Sequence, residues 1–310
     1  MKEVEIINLE NFKYLESIDV MKENFKKRVP VIFQNLNIGK CVEKWQNNDY
    51  LFESNPSHIV SVHLANTKEM DFKNKNFEYK NMRMDDFIRA AAIDSEDNWY
   101  YLRALGADVR KEKAHFPDQY PNLAEDLQIP PVFSPNEYFS SVFRISSKNC
   151  RLWTHYDTMD NILIQVRGEK SIIFYSPFDA EYLYLEDGKS PILCPESADL
   201  TQYPLLSRAT PLLGNLSDGD VVFIPALWFH NVQANAFSVA VNVFWYHLKE
   251  EFYDRRDVYG NKDPLPVARV NQSIDSCIRA LSGLPEEYRH LYGLNLVKKL
   301  SMKLLKQKPD

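Results

Sequence analysis

Asp218-Gly219-Asp220-Val221-Val222-Phe223-Ile224-Pro225-Ala226-Leu227-Trp228-Phe229-His230 is the stretch on which the fold turns. Asp-Gly-Asp is turn chemistry, because glycine adopts backbone angles that other residues avoid. Val221 to Ile224 then read as a buried strand. Pro225 interrupts the ladder, since it has no N–H to donate. His230 stands at the start of the next β segment. Val221 to Phe229 is also the longest apolar run of the chain, nine residues with a proline inside. A bilayer needs about 20, so this run does not span one.

More strands flank it. Ile162-Leu163-Ile164-Gln165-Val166 and Ser171-Ile172-Ile173-Phe174-Tyr175 are β-rich, with Arg167-Gly168-Glu169-Lys170 between them as a hairpin-like turn. Val239 to Trp245 is a further strand. Many short strands separated by turn residues indicate a sandwich or barrel over residues 96–248. Residues 1–95 mix short apolar runs with Lys/Asn-rich loops, an N-terminal elaboration of that barrel. There, Arg28-Val29-Pro30-Val31-Ile32-Phe33 reads as a strand entered from a basic helix end. Met84 to Ala92 reads as a helix with Phe87 and Ile88 facing in.

Residues 249–310 turn helical. Val267, Val270, Ile274, Ile278 and Leu281 recur every three or four positions, the stripe of an amphipathic helix. Pro285, Glu286 and Glu287 start a second helix in the preferred way, and it carries Leu291, Leu296, Leu300 and Leu304. Two striped helices must bury their faces, against the barrel wall or against a partner subunit. The expectation is a C-terminal extension that forms a homodimer.

A chain of 310 residues buries roughly 75% of its unfolded surface and needs no staples. Against 43 acidic residues stand 37 basic ones, a net charge of −6 with His neutral. That disfavours a protein that coats nucleic acid and leaves room for a local basic face. Cys41, Cys150, Cys194 and Cys277 are far apart and form no CxxC, which points to free thiols in a reducing compartment. The N-terminus, MKEVEIINLENF, is acidic where a signal peptide is apolar. The expected setting is soluble and intracellular, cytoplasmic or nuclear, with no membrane partner.

Leu152-Trp153-Thr154-His155-Tyr156-Asp157 contains His-x-Asp. On a strand, residues i and i+2 project to one face, so His155 and Asp157 can hold one ion. Alone, the pair is weak evidence, because it arises often by chance. His230 strengthens it. A turn, a strand, a proline and then a histidine at a strand start is how a double-stranded β-helix of the cupin type places a distal ligand. His155, Asp157 and His230 then make a facial triad that leaves positions open on a non-haem Fe(II) centre. His247 and His63 are rival ligands. His247 lies beyond its strand and reads as structural. His58, His63, His115 and His290 sit in polar or helical contexts and read as surface residues.

The span 96–248 resembles a JmjC-type 2-oxoglutarate-dependent oxygenase domain. The carrying strings are Tyr100-Tyr101-Leu102-Arg103, Ser140-Ser141-Val142-Phe143-Arg144-Ile145-Ser146-Ser147, Leu152 to Asp157, Met159-Asp160-Asn161 and Phe223 to Val232. Tyr259-Gly260-Asn261-Lys262-Asp263-Pro264 and Leu284-Pro285-Glu286-Glu287-Tyr288-Arg289 extend the likeness toward a tRNA-modifying branch of that family. It runs nearly full length, loosely over the first 95 residues. The resemblance implies a mainly β double-stranded β-helix (cupin/JmjC) barrel with flanking helices. It implies Fe(II), 2-oxoglutarate and O2, with His155, Asp157 and His230 as catalytic iron ligands. It matches Lys170 to the cation that pairs with the distal carboxylate of 2-oxoglutarate, and Tyr101 and Asn161 to hydrogen-bonding contacts. Asn242 could line the same pocket; its blander reading is a buried amide satisfied by backbone. Leu152 departs from the family, which often has Thr there.

The implied reaction is hydroxylation of the side chain of wybutosine in the anticodon loop of phenylalanine tRNA. That substrate needs a route for a splayed base and a basic surface for phosphates. Candidate clusters are Lys22, Lys26, Lys27 and Arg28; Arg103, Arg110, Lys111 and Lys113; and Lys298, Lys299, Lys303, Lys306 and Lys308. Each can equally be a solvated face. Arg144 and Arg151 flank the His-x-Asp strand and could meet a phosphate or the polar substrate side chain. Trp153 beside the ligands could stack on a base or pack in the core. A JmjC protein hydroxylase or histone demethylase, and an inactive JmjC binding module, are the competing readings.

Overall fold

The computed structural model describes residues 1–53, 58–186 and 188–305. Alternating side chains sort its strands into two sheets. In the first part of the chain lie β1 (Lys2–Glu3), β2 (Glu5–Asn8), β3 (Val31–Gln34), β4 (Ile59–Ala65), β5 (Glu69–Met70), β6 (Phe77–Arg83) and β7 (Trp99–Arg103). Next come β8 (Tyr138–Ser146), β9 (Arg151–His155), β10 (Asp160–Arg167) and β11 (Lys170–Tyr175). The last are β12 (Leu212–Leu216), β13 (Val221–Ile224), β14 (Phe229–Ala234) and β15 (Ser238–Trp245). One sheet runs β1-β12-β11-β14-β9-β5 and the other β2-β3-β13-β10-β15-β8-β7-β4-β6. From β9 to β11 the chain changes sheet at every strand, and again from β12 to β15. That winding is the jelly-roll-like, cupin-type barrel, mainly β with helices laid against it.

The alternation also explains why β10 and β13 are continuous apolar runs. Ile162 and Ile164 of β10, with Val221 and Phe223 of β13, join a core that holds Trp45, Phe116 and Phe143. That core receives Ile18 and Met21 from the helix Tyr14–Phe25, and Phe87 and Ile88 from the helix Met84–Ala92. The residues between, Leu163, Val222 and Ile224, face Ile172, Phe174 and Leu216 of the smaller sheet. Strands buried on both faces lose the polar half of the pattern. Each fully buried aliphatic side chain contributes roughly 1.5–3 kcal/mol.

Arg167-Gly168-Glu169-Lys170 is not a hairpin. β10 lies between β13 and β15, while β11 lies between β12 and β14 in the other sheet. Gly168, at φ +82°, turns the chain from one sheet to the other, and a Cβ there would come within 2.2 Å of the Phe237 carbonyl. The step leaves Lys170 as the first residue of β11 and buries it. His63 is likewise not on the surface. It is only 5% exposed, with its ring among Phe72, Phe77, Tyr79 and Tyr101. Burial pulls its pKa down to about 4, so it packs as a neutral ring whose Nδ1 lies 3.1 Å from the Tyr101 carbonyl.

The N-terminal segment is fastened to the barrel by charge. Arg28, at φ +56°, donates to both oxygens of Asp160 at 2.6 Å each. The Ala226 N–H reaches the same carboxylate at 2.8 Å, and His247 Nδ1 lies 3.5 Å away. The Trp228 indole N–H donates to the Arg28 carbonyl at 2.9 Å. Burial alone would raise the Asp160 pKa, but His247, Arg28 and Ala226 outweigh it and hold the carboxyl below its usual range.

The chain divides into two compact units, 1–250 with 256–261, and 251–255 with 262–310. The second contains the helices Leu265–Ser282 and Glu286–Leu304. Neither has a buried residue, and Val270, Ile278, Leu291 and Val297 are each at least half exposed. Among the described residues no helix is long and apolar enough to cross a membrane.

Removing Arg28 leaves a buried carboxylate without its main partner. Arg28→Ala is expected to lower the unfolding free energy by about 3 kcal/mol in urea titrations at neutral pH. Because the Asp160 pKa is depressed in the fold, the difference from wild type should persist above about pH 4 and shrink as pH falls through the depressed value.

Candidate metal centre

β9 ends on His155 and β14 has His230 as its second residue. The two are register partners on adjacent antiparallel strands, and their ring centroids lie 4.3 Å apart. Asp157 follows two residues past His155, and its Oδ2 comes to 3.7 Å from His230 Nε2. One potential ligand atom from each of the three lies within 4.8 Å of the others.

Backbone carbonyls orient both rings. His155 Nδ1 lies 2.8 Å from the Trp153 carbonyl, and His230 Nδ1 lies 3.0 Å from the Trp228 carbonyl. A carbonyl only accepts, so each Nδ1 carries the proton and each Nε2 is left with a lone pair. Burial, then the neighbouring His230, pushes His155 down to about 3, and burial also lowers His230. Both rings are therefore neutral, the form that binds a metal. The Leu227 N–H donates to the Asp157 carbonyl at 2.8 Å, which ties the loop before His230 to the loop after His155. Leu227 itself takes a left-handed backbone, φ +70°. Asn161 Nδ2 donates to Asp157 Oδ2 at 3.3 Å, and Asn242 Nδ2 donates to Asn161 Oδ1 at 3.1 Å. Two neutral nitrogens and a carboxylate oxygen, preset on one side, fit a divalent metal with open positions.

The triad opens into a cavity that Tyr101, Arg144, Lys170 and Asn242 also line. Leu152, Leu163, Ile224 and Val232 supply its apolar wall. Lys170 Nζ donates to Gln165 Oε1 and Ser238 Oγ, 2.6 Å each. Burial first, then Arg144, brings its pKa down to about 7. Arg144 Nη1 donates to the Tyr101 hydroxyl. Asn242 Oδ1 is buried with no hydrogen-bond partner among the described residues.

Trp153 stacks on His155 at 4.3 Å and on Phe72 at 4.0 Å, so its ring braces a ligand. Arg151 is buried and committed to Glu196, at 2.8 and 3.0 Å, and to Asn231 and Gln233. It is not among the cavity-lining residues. Lys298, Lys299 and Lys303 lie exposed on the helix Glu286–Leu304 of the second unit. Lys306 and Lys308 lie outside the described residues. Sequence reasoning missed Gln165 and Ser238. The available signal was a glutamine inside the apolar run Ile162–Val166.

The fold and the donor set define a cupin-type protein, and the family model for the cupin-like domain matches residues 17–251. Over 290 residues the chain is 46% identical to tRNA wybutosine-synthesizing protein 5 of Gallus gallus, covering 91% of each. Over 284 residues it is 45% identical to the Homo sapiens protein of that name, covering 89% of this chain and 90% of the other. It is also 35% identical to tRNA wybutosine-synthesizing protein 4 of Gibberella zeae, covering 90% of this chain and 28% of that longer one. The chain belongs to the cupin-like domain family and, within it, to the family of tRNA wybutosine-synthesizing protein 5.

A metal held by this triad stabilises the folded state by mass action. Mn(II) at about 100 times its Kd is expected to add roughly 2.7 kcal/mol, seen as a rise in Tm of the wild type. His155→Ala should show no such rise; an equal rise would place the metal elsewhere.

Proposed function

We propose that this chain is an Fe(II)- and 2-oxoglutarate-dependent dioxygenase. Its substrate in this reading is the side chain of wybutosine in the anticodon loop of phenylalanine tRNA. The observation that carries it is one cavity holding both the inward-facing triad and a buried ammonium, Lys170. A dicarboxylate that chelates a metal at one end needs a charge partner at the other. Relatives that this chain matches over about nine-tenths of its length are named for wybutosine synthesis.

Fe(II) with 2-oxoglutarate and O2 supplies hydroxylation of an unactivated aliphatic carbon. The protein's own residues supply placement. His155, Asp157 and His230 hold the metal, while the Trp153 and Trp228 carbonyls and the Trp153 ring hold the histidines. Lys170 neutralises the distal carboxylate, with the Tyr101 hydroxyl on the same wall. Asn161 steadies Asp157, and the unsatisfied Asn242 Oδ1 offers an acceptor to a bound ligand. The apolar wall excludes water from the reacting carbon. Arg144 meets the polar end of the substrate. Arg151, itself buried, holds β9 in place behind the ligands through its ion pair with Glu196. Lys298, Lys299 and Lys303 serve phosphates on the RNA. A second copy of the chain covers the exposed apolar stripes of the two C-terminal helices, giving a homodimer.

Purified protein with Fe(II), 2-oxoglutarate and wybutosine-bearing phenylalanine tRNA should add one oxygen to the modified base by mass spectrometry. His155→Ala and Asp157→Ala should abolish that gain. Succinate release with a protein peptide but not with the tRNA would overturn the assignment.

The buried Lys170 gives a pH signature. Its folded pKa of about 7 means that the ammonium loses its proton as pH rises past 7. A bound carboxylate requires it charged. At pH 8, calorimetry of 2-oxoglutarate binding in buffers of different ionisation enthalpy is expected to show proton uptake. Lys170→Met should remove the uptake and weaken binding roughly 10- to 100-fold.

A further inference from the structure

Arg103 of β7 and Arg144 of β8 are register partners in an antiparallel pair. Directly opposed side chains share a face, and like charges so placed repel. Neither guanidinium has a carboxylate partner among the described residues. Arg144 donates to the Tyr101 hydroxyl, and Arg103 Nη2 reaches only the Tyr259 carbonyl at 3.4 Å. The Arg103 guanidinium also lies 5.9 Å from the centre of the Tyr259 ring. Each arginine keeps a buried Nε with no hydrogen-bond partner. Burial, followed by repulsion from Arg144, pulls the Arg103 pKa below its ordinary value.

Arg151 shows how this fold treats an arginine whose task is structural. Its guanidinium is matched to Glu196, Asn231 and Gln233. Arg103 and Arg144 are left unmatched, and Arg144 lines the cavity of the triad. Lys170 stands on separate anchors, Gln165 and Ser238. With a divalent metal bound, one dicarboxylate spanning metal and Lys170 would leave Arg144, which lines that cavity, and Arg103, paired with it across the strands, without an ion-pair partner. Both side chains are partly buried, and a guanidinium whose buried Nε has no partner is costly unless an anion completes it.

We propose that Arg103 and Arg144 form a second anion subsite, which takes an anionic group carried by the substrate, a carboxylate or a phosphate, and so sets which carbon faces the metal. The position of that carbon rests on the oxygenase reading; the anion subsite itself does not. A pair of planar forks suits a two-oxygen anion better than lysines would, since each guanidinium can donate twice in one plane. A neutral analogue would leave the buried donors unpaired and be rejected.

The test titrates acetate and inorganic phosphate into full-length protein loaded with Mn(II) and 2-oxoglutarate, read by calorimetry. The wild type is expected to bind one of them saturably. Arg144→Gln and Arg103→Gln should each weaken that binding roughly 10- to 100-fold while 2-oxoglutarate affinity and anion-free Tm stay near wild type. No anion binding by the wild type, or equal binding by wild type and both variants, overturns the subsite. A matched loss of 2-oxoglutarate affinity also overturns it, by assigning Arg144 to the cosubstrate. Turnover then separates the two sources. If Arg144→Gln lowers kcat/KM only on RNA whose modified base has a free side-chain carboxylate, the anion is that carboxylate. Equal losses on the esterified base make it a phosphate. A wild type that binds acetate or phosphate but oxidises no tRNA refutes the oxygenase assignment and leaves the subsite standing.

Discussion

Everything chemical in this protein depends on the register between β9 and β14. Because His155 and His230 are paired residues of neighbouring antiparallel strands, a slip by one position would send one of them to the opposite face. The register is fixed from outside the site. Val232 pairs with Leu152 in the apolar layer, Gln233 pairs with Arg151, and the ion pair from the buried Arg151 to the more exposed Glu196 locks that end. At the other end the Leu227 N–H holds the Asp157 carbonyl, and Asp160 anchors both the Ala226 amide and Arg28. The third ligand is thus placed by backbone contacts as much as by its own strand.

The winding of the chain makes that register possible. By crossing between sheets at successive strands, the chain puts β9, β11 and β14 side by side although β10, β12 and β13 intervene in sequence. Lys170 and His155 come to one cavity for this reason, although they belong to strands with β14 between them. The cost is long-range pairing, and the continuous apolar faces of β10 and β13 offset it by filling two cores at once.

Much of this was legible in the sequence. Apolar runs, turn residues and the 3.6-residue stripe depend on neighbours a few positions away, so they marked β10, β11, β13, β15 and the helices Met84–Ala92, Leu265–Ser282 and Glu286–Leu304 close to where they lie. The strand rule reaches only as far as His155, where β9 ends; Asp157 lies beyond it and comes near His155 and His230 through the loop that the Leu227 N–H holds. What misled was local chemistry with two possible outcomes. Arg167-Gly168-Glu169-Lys170 has the composition of a hairpin turn, and nothing within it says that the second strand joins another sheet. His63 sits in a short, partly polar run, and its burial comes from Phe77, Tyr79 and Tyr101, which β6 and β7 bring beside β4, and from Phe72 in the turn before β6. No window around His63 contains that information.

The net charge of −6 pointed away from nucleic acid, and the cavity shows why such an average is a weak guide. Carboxylates on the surface are scattered and screened within about 8–10 Å by salt. Arg144 and Lys170 stand in a concave site with low-dielectric walls, where screening is poor and the field is focused. Burial first, and then the Arg144 charge, lower the pKa values of both Arg103 and Lys170. An anion entering the cavity therefore meets positive potential whatever the sign of the whole chain. The same focusing makes the site selective, because a neutral ligand would desolvate these cations without replacing the water they lost. The relevant charge is that of the wall a ligand touches, and the cations on that wall are Arg144 of β8 and Lys170 of β11.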